Sequence, residues 1–567
     1  MEPIQLQPLK LTVPLFSPIK LVSAIQNPGA ADPSFVGELT TSLLLSKGVG
    51  MPTFTRNTTA TVTDFEGIIH TAKIGEARFE GARRVENLIA YSEDFANAYY
   101  TKAASGTGVV PTVTANYGTD PNGNLTADRI QFDLGATPAT AVSRLYKVSL
   151  STAPNNIVSI WLKTTDGSTK TLYIVGGTGN NNITVTGSWT RFSFPPTTHP
   201  AYAQMQFGLQ GSYGTSNTAD ILAWGAQVED VTGQSVQTVG EYVSSGGVLP
   251  APYHGAGADG VQYFATTLAG TPIAASVLKG YYAEGQRTNL ALYSNDFSNA
   301  AWAKSNLTHA SGTLTATAAN GTLLQTVTST SQAHVFSIQI KRKTGTGAIA
   351  LTLDNGATWT MKTISASWTR YEVTQTLANP VFGIRIATSG DAIDVRHGQL
   401  ETAGFSSSPI LTTSASATRN SDVLTYAWGL PETGSVTAEA WSETDTITYG
   451  RVVSKPDGKT PLAVQGGNTM QSYDGGVANV FSSGGTFGTG IRKIAGRWNN
   501  GTALRSVAKD GAASPNVAYN GVFSGDGTVN FGSTGKPGVA SSLFGTMKNV
   551  KIWNRALSDA EMTSFTS

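Results

Sequence analysis

The loop Asp120-Pro121-Asn122-Gly123-Asn124, with Asp128 close behind, sets oxygen-bearing side chains at alternating positions around a glycine. That pattern suits a hard cation, and the ion it would take is calcium. The later bidentate glutamate of an EF-hand is missing, so an ordinary Asn-Gly turn competes with a calcium site over Asp120, Asn122, Asn124 and Asp128. Two tryptophans are the other candidates. Trp161 stands between Ile160 and Leu162, and Trp224 follows Ala223, so alternation puts both rings on the face opposite the apolar one. An outward tryptophan must meet a sugar ring or a neighbouring domain or subunit, and a protein contact is the favoured expectation.

Other chemistry is thinly represented. His70, His199, His254, His309, His334 and His397 are scattered without metal-ligand spacing, and no phosphate loop or serine-nucleophile motif occurs. The chain has no cysteine, which excludes disulfides and thiolate chemistry. Acidic residues sit singly in turns, so the expectation is no catalytic site, with polysaccharide cleavage kept as an alternative. Apart from calcium, no cofactor is expected. A net charge of +1 without a basic run predicts no nucleic-acid partner. No membrane insertion is expected, because no apolar run reaches membrane-span length, and the start lacks the pattern of a cleaved leader.

The elements that must position these residues are strands. Only 13% of residues are charged and glycine is abundant, 62 in 567, a composition that favours strands and turns over long solvated helices. One segment occurs twice. Asn87-Leu88-Ile89-Ala90-Tyr91-Ser92-Glu93-Asp94-Phe95 returns 202 residues later as Asn289-Leu290-Ala291-Leu292-Tyr293-Ser294-Asn295-Asp296-Phe297. Collinear matches follow: Val158-Ser159-Ile160-Trp161-Leu162-Lys163 with Phe336-Ser337-Ile338-Gln339-Ile340-Lys341, Ser188-Trp189-Thr190-Arg191 with Ser367-Trp368-Thr369-Arg370, and Gln227-Val228-Glu229 with Gln399-Leu400-Glu401. A repeat this long implies two copies of a self-contained domain. Alternation buries Val158, Ile160 and Leu162 in one copy and Phe336, Ile338 and Ile340 in the other, while Trp189 and Trp368, present in both, read as core.

The expected order is an extended N-terminal docking arm over 1–50 and a short β lead-in over 51–86. Sandwich 1 follows over 87–245, a connector with a second lead-in over 246–286, sandwich 2 over 287–417 and a final sandwich over 418–567. Six prolines and isolated apolar residues such as Leu11, Val13 and Phe16 suggest that the arm lies along another surface. Lys509-Asp510-Gly511 predicts a hairpin turn, and Ser558 with Glu561 predicts a capping box opening a terminal helix.

The runs Glu284-Gly285-Gln286-Arg287-Thr288-Asn289-Leu290, Tyr293-Ser294-Asn295-Asp296-Phe297 and Gln399-Leu400-Glu401 resemble the carbohydrate-binding-module-like jelly rolls of tailed-bacteriophage virion proteins. The segment from Gly545 to Glu561 looks like the last strand and helix of a laminin-G/concanavalin-like sandwich. The resemblance implies an all-β chain of tandem jelly-roll β-sandwiches plus a concanavalin-like sandwich. Its implied function is a virion structural protein on the particle surface, tail or capsid exterior, first a tail fibre or receptor-binding component and second a capsid decoration (head fibre) protein. The partners expected are other virion proteins through the arm, a host surface glycan, and copies of the chain in a homo-oligomer, a trimer before other states. No heptads or β-helical repeats declare a shaft.

Overall fold

A computed structural model describes residues 32–567 apart from 49, 149, 152, 177–178, 195–203, 247–254, 443–449, 466–468, 476–478, 483–489, 526 and 535–541. The chain is all-β, built from three two-sheet sandwiches, and every ladder between its described strands is antiparallel. No helix among these residues is long and apolar enough to cross a membrane.

Each jelly roll is a pair of five-stranded sheets. In the first, one sheet runs Thr190–Phe194, Asn156–Thr164, Thr218–Asp230, Ala127–Asp133, Val109–Gly118. Its counterpart in the second runs Thr369–Leu377, Gln332–Thr344, Ala392–Glu401, Thr313–Ala316, Leu307–Ala310. Val158, Ile160 and Leu162 lie inside the first core, and Phe336, Ile338 and Ile340 inside the second. Period-two alternation therefore reports the buried face of both copies correctly.

The third sandwich is discontinuous in sequence, which corrects the expected boundaries. Its nine-stranded sheet is organised on Gly545–Trp553, which pairs with Gly434–Ser442 on one side. On the other side, Phe35–Gly37 takes its end from Val550 to Ile552, and Gly280–Ala283 takes Gly545 to Met547. Arg78–Glu80 extends the sheet beyond Gly280–Ala283, while Pro52–Thr55 joins the opposite sheet beside Val423–Tyr426. The strands Phe35–Gly37, Pro52–Thr55, Arg78–Glu80 and Gly280–Ala283 are thus parts of the final sandwich, and one core contains Phe35, Phe79, Tyr281, Tyr426 and Met547. The physical reason is size: strands of three or four residues have no stability alone and must complete a larger sheet. The arm expected over 1–50 ends by pairing with its own chain from Phe35 onward, and its first 31 residues lie outside the described ones.

The helix Asp559–Thr566 starts at the predicted capping box, Ser558 accepting from the Glu561 amide while Glu561 accepts from the Ser558 amide. It buries Met562 against Trp553 and Leu557. Asp510 (φ 48°) and Gly511 (φ 73°) form the expected turn, with Lys509 opposite Ala512.

A buried ionic network joins these distant segments. Arg56 Nη1 lies 2.9 Å from Asp422 Oδ1, and Arg78 reaches Asp422 Oδ2 and, at 2.8 Å, Glu284 Oε2. Arg419 Nη1 also meets Glu284 Oε2 at 2.8 Å, and all five side chains are fully buried. Ser408 donates its amide and hydroxyl to Glu284. Burial alone would raise the Glu284 carboxyl, but Arg419 and Arg78, with the hydrogen bonds from Ser408, hold it at about 2. Because the folded value is below the ordinary 4.5, its stabilisation is complete above pH 4.5 and is lost as pH falls towards 2. Urea unfolding of the wild type should show this loss across that window. Glu284→Gln should be less stable at pH 7 and show a smaller loss there; an unchanged profile would discount the network.

Candidate functional site

The outer face of the Thr190–Phe194, Asn156–Thr164, Thr218–Asp230 sheet carries an aromatic cluster. Trp161 and Trp224 face one another across the ladder, their rings 5.4 Å apart at 64°. The register shifts between Ser159 and Trp161, where Gly225 adopts φ 66°. Glycine is required there twice over, since a Cβ would also come within 2.9 Å of the Trp161 ring. Tyr242, from the segment following the last strand, closes on Trp224 at 4.5 Å and on Trp161 at 5.5 Å. Arg191 stacks its guanidinium 4.3 Å from the Trp161 ring centre.

These contacts correct the expectation for the two tryptophans. Both leave the core face as alternation requires, but Trp224 is only 4% exposed and Trp161 is half-buried, because they cover each other and are covered by Tyr242 and Arg191. Solvent still reaches part of the Trp161 ring, and it also reaches two tryptophans elsewhere. Trp189 and Trp368, expected in the cores, lie on the outer faces: Trp189 is partly exposed and Trp368 is 36% exposed. Lys163 Nζ stands 5.7 Å from the Trp189 ring, and in the second copy Lys341 Nζ stands 5.1 Å from Trp368. The repeated Ser-Trp-Thr-Arg motif therefore displays its tryptophan and ties down its arginine. Arg191 donates to Gly240 O and Ser159 Oγ, and Arg370 to Ser407 O and Ser337 Oγ.

The loop read as a calcium candidate supports this face. Asp120 Oδ1 accepts from the amides of Asn122 (2.7 Å) and Asn124 (3.0 Å), the geometry of an Asx turn. Its Oδ2 accepts from Thr126 Oγ1, which in turn accepts from Trp224 Nε1 at 3.1 Å. Trp189 Nε1 donates to Thr119 O in the same loop. Asp128 serves another segment, accepting from the amides of Phe95 and Asn116. Burial pushes its carboxyl up to about 6. The four residues are not brought together as one oxygen cage, and no cluster of three acidic or histidine side chains suited to a metal occurs among the described residues.

The opening repeat has a mechanical role. Asn87 Nδ2 donates to Ala226 O and Val243 O while its Oδ1 accepts from the Ile89 and Val228 amides. Asn289 does the same with Gly398, Ile410, Ala291 and Leu400. Gln227 and Gln399 accept from the amides of Val243 and Ile410. Each copy thus clamps its incoming segment, its last strand and its outgoing segment together. The histidines do not converge: His70 pairs with Asp64 at 2.8 Å and His334 with Ser329 at 3.0 Å, while His199 and His254 lie outside the described residues.

The fold and this face define a class: a multi-sandwich β protein whose two jelly rolls share one tryptophan position on the outer face. No family model and no curated protein sequence matches the chain. Among solved structures, the N-terminal CBM22-1-CBM22-2 tandem domain of Paenibacillus barcinonensis Xyn10C aligns at 11% identity over 56% of this chain and 98% of that one, with a TM-score of 0.18. The vicilin of Solanum melongena aligns at 7% identity over 59% and 86%, with a TM-score of 0.11.

An outward Trp368 makes a stability forecast opposite to a core Trp368. Trp368→Ala should change the unfolding free energy by no more than about 1 kcal/mol, the scale of an exposed cation–π contact. A loss of about 3–5 kcal/mol in urea titration would return the ring to the core.

Proposed function

We propose that this chain is a non-enzymatic adhesion protein of a tailed-phage particle, a tail fibre or receptor-binding component whose jelly rolls hold surface glycans on outward tryptophans. The observation that carries the sugar-binding part is the duplicated ring: Trp189 and Trp368 occupy one position in both copies and both reach solvent. A flat apolar ring bordered by hydrogen-bonding groups suits a pyranose, whose axial hydrogens stack while its hydroxyls find polar partners. In the first copy Glu93, Tyr242 and Lys163 border the ring cluster.

The particle setting rests on the resemblance of the Asn-Leu…Tyr-Ser…Asp-Phe motif to virion jelly rolls. Residues 1–31 are the proposed attachment to other virion proteins. Assembly as a homo-oligomer, a trimer first, suits such a protein, since several weak sugar sites acting together give useful avidity.

Binding of the purified chain to a glycan array and to host cells should fall at least tenfold in the Trp189→Ala, Trp368→Ala double variant; undiminished binding would remove these rings from the site. Deleting residues 1–31 should leave the chain folded yet absent from purified particles. Normal incorporation of that deletion would refute the attachment role.

A further inference from the structure

The second jelly roll sets its tryptophan on a different bed. In place of Trp161 and Trp224 it has Gln339 and Arg396, opposite one another across the equivalent shifted ladder. Arg396 Nε donates to Gln339 Oε1 at 2.6 Å, and the guanidinium carbon lies 4.3 Å from the Trp368 ring centre. Tyr242 has no aromatic counterpart: Val243 and Ile410 make equivalent bonds to Gln227 and Gln399, which places Pro409 at the Tyr242 position. Gly225 is replaced by His397, at φ 56°, which lies beside Arg396 and Arg370.

The charge around Arg396 is unbalanced. Lys341 and Lys343 share Asp394, which also accepts from Thr313, so the acid on this face is already neutralised twice. Arg370 is committed to Ser407 and Ser337, and Asn295 is occupied by the His397 amide. No carboxylate among the described residues lies within ion-pair distance of Arg396, and burial acts on it without any charge to offset it. A half-buried guanidinium lacking a counter-ion is an incomplete site, since its remaining donors form a planar fork matched to carboxylate or sulfate oxygens. The guanidinium takes part of the Trp368 ring, and the area that leaves the ring 36% exposed supplies a stacking surface beside it.

We infer that the outer face of the second jelly roll binds an acidic sugar residue, its anionic group seated on Arg396 while its ring stacks on Trp368. The first copy has Trp224 in place of Arg396 and commits Arg191 to Gly240 O and Ser159 Oγ, so its aromatic face offers no such anion seat and takes a neutral sugar. This inference rests on the tryptophan reading above and adds the ligand class of each copy.

The test is affinity gel electrophoresis of the full chain through polygalacturonate, dextran sulfate and neutral dextran. Polygalacturonate reads a carboxylate ligand and dextran sulfate a sulfated one. Arg396→Gln should weaken retardation by one or both acidic polymers at least tenfold and leave neutral retardation unchanged; Trp368→Ala should repeat that result without touching a charge. Trp189→Ala should reduce neutral retardation alone. Acidic retardation that survives both Arg396→Gln and Trp368→Ala overturns the inference. Neutral retardation that depends on Trp189 with no acidic retardation sinks this inference while leaving the tryptophan reading in place. Absence of retardation by all three polymers sinks both.

Discussion

Three arginines and two carboxylates, sealed from water, decide how this chain is put together. Arg56, Arg78, Glu284, Arg419 and Asp422 come from three separate passes of the chain through one sandwich, and each charge is answered by another in the set. Removing one partner from such a network strands its neighbours, at a cost of about 3–5 kcal/mol. The short strands Phe35–Gly37, Arg78–Glu80 and Gly280–Ala283 could not specify their register by burial alone. The network ties two of them down, since Arg78 lies on one and Glu284 directly follows another. Glu284 illustrates it: its amide donates to Asp422 Oδ2, its carboxylate takes Arg78, Arg419 and Ser408, and the second jelly roll begins immediately afterwards.

On this base the jelly rolls stand as two versions of one device. The Asn-Gln-Arg clamp is the same in both, down to the carbonyls and amides it satisfies. The sheet is shifted at the same ladder position in both, and the side chains beside the shift differ: two tryptophans in one copy, glutamine and arginine in the other. A bulge re-aims neighbouring side chains, so a constant bulge with variable neighbours lets the outer face change without disturbing the core.

The cores were readable from alternation, because Val158, Ile160 and Leu162 and their counterparts each occupy one face of a strand. The capping box and the Asp510-Gly511 turn were readable because they are local. The shared tryptophans misled: Trp189 and Trp368 precede their strands, where alternation has not begun, and occurrence in both copies looked like a mark of the core. For Trp161 the alternation argument found the correct face but had no means of knowing that Tyr242 and Arg191 would cover it. The reach of the final sandwich was invisible for a related reason. Ser34 hydrogen-bonds Ile552 across 518 residues, and no short-range pattern encodes a partner at that distance.

That separation sets a timetable for synthesis. Each jelly roll is contiguous and can close soon after its own last strand leaves the ribosome, whereas the sandwich at the base needs Gly545–Trp553 before its nine-stranded sheet can form. Until then Phe35, buried in the finished molecule, has no partner strand, and Phe79 and Tyr281 have only each other's strand for company. A chain interrupted late in translation would therefore carry two finished jelly rolls beside an open sandwich, and such exposed strand edges are what chaperones and proteases recognise. The order of synthesis is in this way written into the fold, since the strand at Phe35 stays open until the one at Gly545–Trp553 has been made.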